Sequence, residues 1–152
     1  MENIPATEVI NIPATAVAVN GKGVLLRGAS GSGKSDLALR LIDRGAALIA
    51  DDYVTADMVS GAVQLTPPDA IAGMLELRGA GVAKIPFEKD VPLALVVDLV
   101  RPDDVERMPE PAEATICGAS VPLIRLHGFD ASAPIKVEMM LAATQGDVEL
   151  VR

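Results

Sequence analysis

Apolar positions in the first third of the chain run nearly unbroken and then change period. Residues 14–19 and 23–27 are almost continuously apolar and are separated by Asn20-Gly21. A two-residue Asn-Gly loop is a strong hairpin signal, so the two runs are predicted as paired strands. After Ser35 the spacing becomes helical, through Asp36-Leu37-Ala38-Leu39-Arg40-Leu41-Ile42, and Gly45 supplies a left-handed stop. Residues 46–50 return as a short buried strand that ends in Asp51-Asp52.

The pattern continues in short elements. Residues 53–58 and 62–66 flank Ser60-Gly61 as a second hairpin, and Pro67-Pro68-Asp69 opens a helical turn through Ala72. A strand over 74–79 leads into Gly79-Ala80-Gly81, with 82–87 pairing back. Residues 86–92, charged and bounded by prolines, are expected to form a surface loop. The run 93–100, broken only by Asp98, predicts a central strand buried on both faces. Residues 101–112 carry three prolines among many charges and read as a solvated connection. Residues 114–117 and 121–126 predict a hairpin about Gly118. A helix follows over 134–144, with Ser132 as its cap and Ile135, Met139 and Ala142 toward the core. Asn-Ile-Pro-Ala-Thr occurs at 3–7 and again at 11–15, too short to be a structural repeat.

Composition narrows the class. The 152 residues fit one domain; half are hydrophobic but only 2% are aromatic, so the interior must be aliphatic. A formal charge of −8 argues against nucleic-acid and anionic-membrane partners, which require basic surfaces. The apolar runs are too short to span a bilayer, and Met1-Glu2-Asn3 lacks the positive flank of a signal peptide. A cytoplasmic protein is expected. The single cysteine, Cys117, excludes an intramolecular disulfide and is read as a small buried hydrophobe.

The chemistry begins at Gly28-Ala29-Ser30-Gly31-Ser32-Gly33-Lys34-Ser35, which fits G-x-x-x-x-G-K-[ST] between a predicted strand and a predicted helix. In such a phosphate-binding loop, or P-loop, backbone N–H groups crowd around phosphate oxygens. Lys34 reaches the terminal phosphates, and the Ser35 hydroxyl can ligate Mg²⁺. A helix of about eleven residues rises roughly 16 Å, and five strand residues return a similar distance. Asp51-Asp52 therefore comes back beside the loop, where α/β proteins bind ligands if the crossover is right-handed. One carboxylate can then hold Mg²⁺ while the other accepts a proton from an attacking hydroxyl. Asp98 is a second acidic candidate, of the Walker-B type. His127, the only histidine, is read as a packing or surface residue.

The block from Gly28 to Gly45, followed by Leu48-Ile49-Ala50-Asp51-Asp52, resembles the catalytic core of HPr kinase/phosphorylase. Leu75-Glu76-Leu77-Arg78-Gly79-Ala80-Gly81 resembles that family's second signature, and together the blocks cover roughly residues 14–85. The resemblance implies an α/β P-loop kinase domain over 1–152, with a central mixed β-sheet, an N-terminal hairpin leading into the P-loop, and flanking helices. It implies a bacterial enzyme that uses ATP and Mg²⁺ to phosphorylate a serine of the phosphocarrier protein HPr. It also implies reverse phosphorolysis with release of pyrophosphate, and a homo-oligomer, a hexamer in the family.

Carried over by position, Asp51 is the general base, and the acid in phosphorolysis. Ser35, Asp52 and Glu76 lie on the metal side, and Lys34 neutralises phosphate charge. Arg78, two residues after Glu76 on one strand face, is either a site residue or a salt-bridge partner. The sequence departs from the family at Pro13, where a histidine is expected near the active aspartate. It also resembles a short form with the kinase domain alone, and 86–92 is its candidate loop over the site. Two other readings stay open: a P-loop kinase of a small molecule, and a regulatory domain that binds ATP without transferring phosphate.

Overall fold

The computed structural model describes residues 9–151. The first Asn-Ile-Pro-Ala-Thr copy and Met1-Glu2-Asn3 lie outside this range. The chain opens with three strands, β1 (Val9–Ile12), β2 (Thr15–Val19) and β3 (Lys22–Arg27). β2 and β3 pair antiparallel around Asn20 and Gly21, whose φ values of 51° and 78° give the left-handed turn that matches strand twist. Helix α1 (Lys34–Asp43) leaves the P-loop and ends as expected. Gly45, at φ 113°, donates its N–H to Ile42, and Ala46 donates to Leu41, the two bonds of a Schellman stop.

β4 (Ala47–Ala50) then pairs antiparallel with β2. β3 and β4 thus run in the same direction, as the crossover reading requires, but β2 lies between them. The second hairpin forms from β5 (Val54–Val59) and β6 (Ala62–Thr66), and a 3₁₀ turn over Asp69–Ile71 follows. β7 (Met74–Leu77) and β8 (Gly81–Lys84) make a small separate sheet. The long strand β9 (Val91–Leu99) is the hub. Its start pairs with β6, and its body pairs in parallel with β3 and with β11 (Ala119–Leu126). β10 (Ala112–Ile116) completes the edge by pairing antiparallel with β11, and helix α2 (Ala133–Thr144) closes the fold.

The mixed sheet is buried on both faces, which explains the unbroken apolar runs. Val24, Leu26, Leu95 and Val97 face one way, toward Leu37, Ala38 and Leu41 of α1 and Ala133, Val137 and Leu141 of α2. Their alternates Leu25 and Val96 face a second cluster with Ile49, Val54, Leu65 and Leu123. Period-2 alternation therefore divides one apolar run between two cores. Arg44 and Glu138 pair at 2.8 Å and tie α1 to α2 at the surface.

Four expectations need correction. β9 starts at Val91, because that side chain is buried, so the loop predicted over 86–92 is shorter. What remains is held along β4, with Phe87 bridging to Leu48 and the Glu88 N–H donating to the Leu48 carbonyl at 2.8 Å. None of its residues lines the cleft at the P-loop. In α2 the core face is Pro134, Val137 and Leu141, whereas Ile135 and Met139 are exposed. That helix is apolar almost all round, so periodicity cannot choose its buried face. Ser132 occupies the cap position but its side chain makes no capping bond. Cys117 lies in the β10–β11 turn at φ 50°, half-buried against the sheet, rather than at the end of a strand.

Candidate active site

The site is built where β3 ends. The Ser32 N–H donates to Ala29 at 3.0 Å and the Leu37 N–H to Gly33 at 2.8 Å, so the loop folds directly into the first turn of α1. Gly33, at φ 99°, makes the left-handed corner. Lys34 lies across the loop, its Nζ donating to the carbonyls of Gly28 at 2.8 Å and Ala29 at 3.2 Å. The open N–H groups of α1 and its positive dipole end face the same hollow. Ser32 Oγ is buried with no hydrogen-bond partner.

Asp51 is the most constrained polar group. It is only 5% exposed, and its Oδ1 accepts from Ser35 Oγ at 2.7 Å and from Thr15 Oγ1 at 2.9 Å. Its Oδ2 accepts from the backbone N–H of Glu76 at 3.0 Å. One carboxylate thus ties the P-loop serine, strand β2 and strand β7 together. Asp52 turns the other way. It is exposed and left-handed at φ 71°, with its N–H toward Thr15 Oγ1 at 3.4 Å. Asp52 lines a cleft of about 270 Å³ with Ser30, Lys34, Ser35, Glu76 and Arg78. The cleft is thus lined from separate stretches of the chain: the P-loop and α1, Asp52 after β4, Glu76 to Arg78 at the end of β7, and Phe129.

The other sequence candidates lie elsewhere. Arg27 and Asp98 form a two-point ion pair, at 2.7 and 3.1 Å, because the parallel register of β3 and β9 sets them side by side. Asp98 is therefore engaged with Arg27; neither it nor the buried Asp51 is among the residues that line the cleft, whereas Asp51 is bonded to Ser35 and Glu76, which do. His127 donates from Nδ1 to the Val100 carbonyl at 3.0 Å, since a carbonyl can only accept. Pro13 is exposed between β1 and β2. Arg78 follows β7 in a turn, and among the described residues no ion pair joins it to Glu76. Among the described residues no helix is long and apolar enough to cross a membrane.

Comparison with known proteins decides the family. The HPr Serine kinase C-terminal domain matches residues 6–127, most of the chain. The chain belongs to that family. It is 41% identical over 114 residues to an HPr kinase/phosphorylase of Leptothrix cholodnii, covering 66% of this chain and 35% of that protein. It is 40% identical over 96 residues to an HPr kinase/phosphorylase of Clostridium novyi, covering 57% of this chain and 31% of the relative. The chain therefore spans about a third of the length of these relatives. The structure of the Hpr(Ser) kinase/phosphatase from Coxiella burnetii superposes with a TM-score of 0.79 over 90% of both chains, at 23% identity. That likeness places the α/β P-loop kinase fold, with its mixed sheet and two helices, within the family's architecture.

Sequence reading missed Thr15 and Phe129. Thr15 is fully buried in an apolar strand, and a lone hydroxyl in such a run is the available signal. Its partner, 36 residues away, is set by the fold. Thr15→Val should therefore cost about 1–3 kcal/mol, since it removes a donor from buried Asp51 and an acceptor from the Asp52 N–H. Thr15→Ser should recover most of this. Urea midpoints of the three proteins check the prediction.

Proposed function

We propose that residues 1–152 act as one P-loop kinase domain that transfers the γ-phosphoryl group of ATP to a serine of an HPr-type phosphocarrier protein. The reading extends to phosphorolysis, in which inorganic phosphate attacks phosphoserine and pyrophosphate leaves. The observation that carries it is Asp51, bonded at once to the P-loop serine and to the backbone of Glu76 in the second signature. A carboxylate offers about four lone-pair sites. Two on Oδ1 are taken by Thr15 and Ser35, and one on Oδ2 by Glu76, which leaves one on Oδ2 for an incoming proton.

In the forward direction, Asp51 accepts the proton of the serine hydroxyl as the serine oxygen bonds to the γ-phosphorus and ADP departs. In the reverse direction a phosphate oxygen attacks the phosphoserine phosphorus. Protonated Asp51 then returns the proton to the leaving serine oxygen. Lys34 and the loop N–H groups of residues 28–33 neutralise phosphate charge. Arg78, which lines the same cleft, supplies positive charge to the transferring group.

Among the described residues no group of three His, Cys, Asp or Glu side chains forms a metal cage. Mg²⁺ is commonly held by one or two carboxylates plus substrate phosphates, and Ser35, Asp52 and Glu76 in one cleft fit that pattern. When bound, it would spread the negative charge of the phosphates. The proposal includes a cytoplasmic location and assembly into a homo-oligomer, which sedimentation of the purified chain tests.

The decisive assay incubates the chain with γ-labelled ATP, Mg²⁺ and an HPr-type protein, then adds phosphate. Label on serine and later release of pyrophosphate are expected. Lys34→Met should lose transfer by at least a hundredfold, since charge-assisted phosphate bonds are among the strongest polar contacts. ATP binding without transfer to HPr would reject the protein-kinase reading and favour a nucleotide sensor. Label on a small hydroxyl compound instead would favour the small-molecule kinase.

A further inference from the structure

We infer that Phe129 is the stacking platform for the purine base of the nucleotide, a role that rests on the P-loop reading above and extends it beyond the phosphates. The chain contains only two phenylalanines, one tyrosine and no tryptophan. One of those phenylalanines, Phe129, is 53% exposed and lines the cleft beside Gly33 and Leu39. A large ring left half in water forgoes burial that the fold would otherwise gain.

The topology brings it there. β3 and β11 both run parallel to β9, so the P-loop after β3 and the residues 127–130 after β11 emerge at the same sheet edge. That edge is where open α/β sheets bind ligands. Gly33 lets the two approach: a Cβ there would come within 3.2 Å of the Phe129 ring. The ring thus sits at the rim of the phosphate hollow, within the same cleft.

The segment is also held in place. Arg40 of α1 donates to the Asp130 carbonyl at 3.0 Å and to the Gly128 carbonyl, and is itself oriented by Asp36 at 2.9 Å. The Asp130 N–H closes the turn onto His127 at 3.2 Å. Both carbonyls flanking Phe129 are therefore pinned. His127 meets the ring edge-on, with centroids 5.9 Å apart and planes at 64°. A fixed aromatic ring beside a phosphate cradle suits a flat base tethered to those phosphates, because little ordering cost is left on binding.

The test compares binding of Mg-ATP with Mg-tripolyphosphate, which has the phosphates but no base, by calorimetry on the intact chain. Phe129→Ala should weaken ATP about tenfold and leave tripolyphosphate within twofold, as expected for loss of one base–aromatic stack. Phe129→Trp should keep ATP affinity, and its fluorescence should change with ATP but not with tripolyphosphate, since no other tryptophan is present. Unchanged ATP affinity in Phe129→Ala, or equal losses for both ligands, would overturn the platform. Tripolyphosphate binding with no further gain from the base would overturn it while leaving the phosphate cradle intact. Binding of neither ligand by the unaltered chain would overturn both.

Discussion

Asp51→Asn should abolish most phosphotransfer while leaving the protein folded and able to bind ATP. A general base contributes about 10²–10⁴ to rate, and the amide has no comparable basicity, so a loss in that range is expected. The fold should tolerate the change. The asparagine oxygen can accept from the Glu76 N–H, and its amide can donate toward the hydroxyls of Thr15 and Ser35, which rotate to accept. Asp51→Ala would instead leave those donors facing a void and should destabilise the protein. Single-turnover transfer with γ-labelled ATP, beside ATP titration of the same sample, separates the two effects. Transfer at the unaltered rate in Asp51→Asn would sink the base assignment. Asp52→Asn, at the exposed neighbour, should mainly raise the Mg²⁺ requirement.

The second large effect is expected at Gly128→Ala. Nothing about its backbone angle requires glycine; the constraint is proximity. A Cβ at residue 128 would come within 2.6 Å of the Ser32 carbonyl oxygen and 3.0 Å of Leu99 Cδ1. A side chain can swing aside, but a P-loop carbonyl can move only if the loop moves. Overpacking of this kind costs about 1–3 kcal/mol, so a lower melting temperature is expected. Because the displaced residue belongs to the cradle, ATP and tripolyphosphate should both weaken, by about tenfold or more. The parallel loss distinguishes Gly128→Ala from Phe129→Ala. A protein with unchanged melting and unchanged affinity for both ligands would show that the close packing of 128 on Ser32 carries no weight.

Much of the fold was legible because its signals are local. Asn20-Gly21 and Ser60-Gly61 specify their turns through left-handed φ values, and Gly45 stops α1 for the same reason. The P-loop is legible because eight consecutive residues, Gly28 to Ser35, carry its chemistry. The face of α2 was not, since Ile135, Val137 and Met139 are equally apolar and only the packed sheet chooses between them. The partner of Asp98 was not legible, because its acidity is local while its partner is not; parallel register with β3 gives it to Arg27. Cys117 and the start of β9 moved by a residue or two, where strand ends depend on which side chains the core accepts.

Sequence by itself determined the phosphate-binding loop, the succession of strands and helices, and the return of Asp51-Asp52 toward that loop. Each of these follows from residue type, spacing and chain length. The tertiary structure decided which way the two aspartates face, inserted β2 between the strands of the crossover, and brought Thr15 to Asp51 and Phe129 to Gly33. Those outcomes depend on contacts between residues 36 and 96 positions apart, where register and packing, rather than any local preference, select the partner.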